Sequence, residues 1–201
     1  ASNYRAQRSE RSLGRSLGRL AREGVVIATK GGYIPYDGEI PENPEAWFER
    51  HIVRKGVARV GDVAGGCHVL PPSFIENQLF NSLGNLGLAC VDVYYVHNPE
   101  VQLLDISPRA FQKKIRSIFE MLETQASWGR LMFYGIATWN GFRLPEGTAG
   151  HLSLPELEAA AREVAGPNHK FRYVQLPFNL SMPEAKLRKN QRGLSGPEPV
   201  L

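Results

Sequence analysis

Val91-Asp92-Val93-Tyr94-Tyr95-Val96-His97 is a run of β-branched and aromatic residues that stops on an imidazole. That composition fits a strand whose faces are largely covered, as in a parallel sheet. A second run, Val25-Val26-Ile27-Ala28-Thr29-Lys30, stops on an ammonium. Two more repeat the pattern: Met132 to Thr138, and Phe171 to Leu176 with Gln175 near its end. The polar ends stand at positions 30, 97, 138 and 175, so the last two intervals are 41 and 37 residues. Each holds one strand, one helix and their loops. The first interval, 67 residues, is the same repeat with an insertion. Strand-helix alternation at this period predicts a parallel sheet. Chemistry in such folds sits at the carboxyl ends of the strands, so four strands aim polar groups at one mouth.

Between the strands, apolar residues recur at helical spacing. Ser9 is a predicted N-cap for a helix carrying Leu13, Leu17 and Leu20 and ending near Gly24. Gly14 and Gly18 each weaken that helix by about 1 kcal/mol relative to Ala, which close packing would justify. Pro71-Pro72-Ser73 opens a second helix bearing Phe74, Ile75, Leu79, Leu83 and Leu86. Further helices are predicted over about 108–127 and 153–165. Asp92, at a strand start, is expected to make a structural hydrogen bond. Residues 31–70 are rich in Gly, Pro and charge, with an amphipathic hint at Trp47, Phe48 and Ile52. They far exceed an ordinary βα loop and are expected to form an inserted loop or lid. Residues 180–201 are expected to be a loop or poorly ordered tail.

The 201 residues allow one domain with a real core. A net charge of +4, spread except at Lys186–Arg192, gives no nucleic-acid footprint. No apolar stretch approaches the length of a membrane helix. Two cysteines, Cys67 and Cys90, form no disulfide framework, and a reducing cytoplasm is the expected setting. No metal site is expected. A dinucleotide-binding sheet would carry G-x-G-x-x-G after its first strand, and none occurs. The remaining architecture is a (β/α)8 barrel, of which about four complete βα units are present where eight are required.

Several motifs then fall in a familiar order. Asn3-Tyr4, Arg8-Ser9-Glu10 and Leu13-Gly14 are similar to D-T-A-x-x-Y-G…S-E-x-x-L-G, and Ala28-Thr29-Lys30 to a strand-end T-K. Leu79-x-x-Ser82-Leu83-x-x-Leu86-Gly87 leads into the run ending His97-Asn98-Pro99, similar to L-x-x-S-L-x-x-L…D-L-x-x-x-H-x-P. Trp128-Gly129-Arg130, Tyr134-Gly135-Ile136-Ala137-Thr138 and Val174-Gln175 complete the series. Together they resemble the aldo-keto reductase family.

The resemblance implies a (β/α)8 barrel that reduces an aldehyde or ketone with NADPH, or alternatively NADH, through an Asp-Tyr-Lys-His tetrad. Tyr4 would be the general acid, Lys30 its activator and His97 the group orienting the carbonyl. An ammonium near a phenol favours the anionic form and so makes the phenol a better acid near neutral pH. Gln175 would bind the nicotinamide carboxamide. Thr138, where the family has Asn, would supply part of a second cofactor contact. Tyr33, Trp47, Glu100 and Trp139 are candidates for the substrate pocket, with packing, or for Glu100 a solvated loop, as the other reading. The family's Asp would fall before Ala1, and its outer strands have no counterpart. The expectation is therefore an internal piece of such a barrel, a partial domain over 1–201, inactive alone. The alternative is a non-catalytic homologue that senses cofactor or binds a partner protein.

Overall fold

The computed structural model describes residues 1–193 and 196–201. Its first helix, α1 (Arg8–Leu17), is shorter than expected and is not capped by Ser9. It begins instead after Arg5, Ala6 and Gln7, all left-handed with φ of 49°, 49° and 68°. Three consecutive non-glycine residues in that region cost about 1–2 kcal/mol each. The cost is offset by hydrogen bonds: the Gly38 N–H donates to the Ala6 carbonyl, and the Gln7 amide donates to the carbonyls of Pro35 and Tyr36.

Strand β1 (Ala28–Gly31) follows. The insertion after it is not bare loop. It holds α2 (Pro44–Phe48), capped by Asn43 and continued by a wider π turn over Glu49–Val53. It then holds β2 (Val63–Ala64), antiparallel to β3 (His68–Val69). Phe48 and Ile52, the amphipathic hint, are buried in the main core. Next come α3 (Pro72–Leu86), β4 (Val91–His97), α4 (Pro108–Ser127), β5 (Leu131–Ala137), α5 (Leu154–Ala165) and β6 (Phe171–Gln175), close to the predicted bounds. Ser107 and Ser153 cap α4 and α5 by accepting from backbone N–H groups.

The sheet runs β1-β4-β5-β6, all neighbours parallel. Tyr94, Val96, Tyr134, Ile136 and Phe171 face the helices and pack on Ile75 and Leu79 of α3, Phe119 and Leu122 of α4, and Leu157 and Ala161 of α5. Burial of such side chains stabilises by about 1.5–3 kcal/mol each. Val93, Tyr95 and Ala137 form a smaller cluster on the opposite face. β5 and β6 slip by one residue, so that Tyr134 pairs with Phe171 but Gly135 with Tyr173. A Cβ at Gly135 would collide with the Tyr173 carbonyl, which restricts this position to glycine.

Residues 180–201 depart from the expected loop. They contain α6 (Glu184–Leu187) and the antiparallel pair β7 (Gln191–Gly193) and β8 (Gly196–Glu198). Polar anchoring explains why apolar patterning gave no sign of it. Buried Asn190 donates to the carbonyls of Phe142 and Leu144, and Gln191 accepts from the Leu154 N–H.

Candidate active site

His97, Ala137 and Gln175 lie in register at the ends of β4, β5 and β6. Lys30, near the end of β1, is in register with Tyr95. These side chains share the face opposite the helices, and Tyr4 reaches them from the left-handed turn before α1. The Lys30 ammonium lies 5.5 Å from the centre of the Tyr4 ring and donates to the Gln175 side-chain oxygen at 2.8 Å. The Tyr4 and His97 rings meet edge to face, centroids 5.9 Å apart.

The His97 ring is buried, and its Nδ1 has no hydrogen-bond partner among the described residues. Burial first, then the Lys30 ammonium and His68, lower its pKa to about 3. It is therefore neutral at physiological pH. Tyr33 stands on another side of the same ring, edge to face at 4.9 Å.

Tyr4, Lys30, His97, Thr138, Trp139 and Gln175 line one cavity of about 360 Å³. Five of the six were expected to touch cofactor or to carry catalysis, and Trp139 to line the substrate pocket; all converge. Trp139, 59% exposed, forms the rim. Three other pocket candidates do not line the cavity. Tyr33 sits behind His97. Trp47 stacks on His51 and meets Tyr36 edge to face within the insertion. Glu100 is buried and receives the Thr138 hydroxyl, with burial raising its carboxyl above the ordinary range. Thr138 itself is engaged, because its hydroxyl oxygen also accepts the Gly141 N–H at 2.7 Å. Gln175 is also at the mouth, its oxygen accepting from Lys30.

The sequence matches the family model described as the aldo/keto reductase family over residues 1–144. The chain belongs to the aldo/keto reductase family. Its structure is similar to that of a glycerol dehydrogenase from Gluconobacter oxydans, with a TM-score of 0.54 and 18% identity. The match covers 90% of this chain and 40% of that one, so the chain spans less than half the length of that relative. At this identity the likeness speaks for the fold, and the four-stranded parallel sheet is part of a (β/α)8 barrel. No curated protein matched by sequence.

Two further residues of this aldo/keto reductase family member stand at the site without having been candidates from the sequence. Asn98 lines the cavity in a left-handed conformation, φ 45°. Its amide donates to the Tyr33 hydroxyl at 2.9 Å and its oxygen accepts the Trp139 N–H at 3.0 Å. Its place between His97 and Pro99 was the available signal. His68 had none, lying 29 residues from His97 in an irregular stretch.

Proposed function

We propose that this site reduces an aldehyde or ketone to an alcohol with a nicotinamide cofactor, NADPH being the first choice and NADH the second. The observation that carries the reading is the convergence of Tyr4, Lys30, His97 and Gln175 on one cavity from separate elements. The cofactor, when bound, supplies hydride to the carbonyl carbon. Tyr4 gives its hydroxyl proton to the carbonyl oxygen, and the Lys30 ammonium stabilises the phenolate left behind. His97, held neutral, offers an N–H to the carbonyl oxygen without adding charge. Gln175 suits the nicotinamide carboxamide because a side-chain amide donates and accepts in the same way. Its oxygen accepts a hydrogen bond from the Lys30 ammonium, so cofactor and ammonium would compete for it. Loss of NADPH absorbance with a panel of aldehydes, measured on a complete barrel carrying this chain, tests the reading. No turnover with any of them sinks it.

Thr138 favours a second reading. Its hydroxyl is engaged inside the protein, so the cofactor would be held by fewer contacts than the family's Asn allows. A homologue that binds NADPH to sense it, or to dock a partner, would show fluorescence quenching of NADPH on binding and no oxidation with any carbonyl.

A further inference from the structure

The register between β1 and β4 ends at Gly31 and Val96, so the His97 carbonyl lies beyond that ladder. His68, in β3 of the insertion, meets it: the His68 Nε2 is 2.8 Å from the His97 carbonyl oxygen. A carbonyl only accepts, so this nitrogen carries the proton. The other, Nδ1, is 3.2 Å from the Gln102 amide nitrogen and accepts from it. The same amide donates to the His68 carbonyl, while the Gln102 oxygen accepts from Lys114. His68 is fully buried, and burial lowers its pKa to about 4, which keeps this donor arrangement neutral.

Tyr33 stands in the angle between the two imidazoles. Its ring meets His68 edge to face at 5.0 Å and His97 at 4.9 Å, and its hydroxyl is fixed by Asn98. The approach is tight. A Cβ on Gly32 would lie 2.7 Å from the His97 carbonyl oxygen and 2.9 Å from the His68 Nε2, so glycine is needed there. His97 itself makes no side-chain hydrogen bond among the described residues. Its orientation is therefore set by its backbone and by the rings around it.

We propose that His68 and Tyr33 are positioning residues for His97, His68 by holding its carbonyl and Tyr33 by walling its ring. The inserted segment is thereby a part of the site rather than a cover over it. The value of that positioning for turnover rests on the catalytic reading above; the positioning itself does not.

The test is NMR of the His97 ring nitrogens in the full chain. His68→Phe keeps ring size and loses the donor. His68→Gln places an amide N–H where the ring N–H stood. The His97 resonances are expected to shift or broaden in His68→Phe and to return in His68→Gln. Unmoved resonances in His68→Phe, or an equal displacement in both variants, overturns the proposal. Should His68→Phe not fold, Tyr33→Leu at its half-buried position decides, and unmoved His97 resonances there are equally fatal. NADPH oxidation is scored separately, on a complete barrel carrying this chain. Where the wild type turns over, His68→Phe is expected to lose roughly tenfold in kcat and His68→Gln to regain most of it. A wild type without turnover defeats the catalytic reading alone, and the resonances still decide the positioning.

Discussion

His97 and His68 are two buried imidazoles whose pKa values, about 3 and about 4, lie below the ordinary value near 6.5. The unfolded chain therefore binds protons that the native chain refuses. Stability is expected to fall as the pH drops from about 6.5 towards 4, by up to about 1.4 kcal/mol per unit for each imidazole. Glu100, raised by burial, acts with the opposite sign as its carboxyl ionises, so the net slope is a difference. His68→Gln removes one titrating imidazole. Urea denaturation from neutral pH to about pH 4 should show a shallower loss in that variant than in the wild type. Chemistry at this scale has its own prediction: in a complete barrel carrying this chain, Tyr4→Phe and Lys30→Met should each lower kcat by about 10²–10⁴-fold without loss of fold, as read by circular dichroism and NADPH oxidation. The strand-end placement of Lys30 and His97 was legible because each ends an apolar run, and that of Gln175 because it lies near the end of its own. Glu100 misled, because a carboxylate beside a mouth and one buried against Thr138 look alike in a sequence.

Elements test packing against propensity. Gly14 and Gly18 are the same residue type four positions apart, and they separate in the fold. A Cβ at Gly14 would collide with the Asn85 carbonyl of α3, whereas nothing lies within 4 Å of one at Gly18. Gly18 also has right-handed helical geometry, φ −60°. Gly18→Ala is expected to stabilise by up to about 1 kcal/mol. Gly14→Ala is expected to destabilise by about 1–3 kcal/mol despite the same propensity gain. Thermal melts of the pair check both signs. Asp92 is a second case. Its carboxylate accepts from the Ile27 N–H at 2.6 Å and from Arg22 at 2.7 Å, joining the start of β4 to the residue before β1. Asp92→Ala leaves a strand-entry N–H without its partner, and a loss of about 1–3 kcal/mol in urea denaturation is expected. The structural hydrogen bond at that strand start was predictable, since an acid opening an otherwise apolar strand needs donors. Its partners were not.

For the molecule as a whole the insertion is the decisive segment. Shortening a floppy loop would change stability little, because halving its length is worth only about 0.6 kcal/mol. This segment instead places Phe48, Ile52, Val69 and Leu70 in the main core. Each stabilises by about 1.5–3 kcal/mol, so burial outweighs loop entropy by several-fold. Replacing residues 31–70 by a short linker is therefore expected to unfold the chain or to lower its melting temperature by well over ten degrees, as followed by circular dichroism. A melting temperature within a few degrees of wild type would show a detachable lid instead. The same segment holds the strained turn at Arg5–Gln7 through Pro35, Tyr36 and Gly38, so it supports both Tyr4 and His97.

The apolar periodicity of this chain determined its parallel strands, its helices and the polar groups at the strand ends. Those features are local, because a strand or an amphipathic helix writes its period into consecutive residues. The ordered motifs pointed to the family for the same reason, each being confined to a short stretch. Tertiary structure alone decided which polar groups face the cavity and which are consumed by neighbours. Thr138 donates to one oxygen of Glu100, Gln175 accepts a hydrogen bond from Lys30, and His68 reaches the carbonyl of His97. A hydrogen bond between side chains dozens of residues apart leaves no period behind. It exists only once the chain has folded and burial has made an unpaired polar group costly.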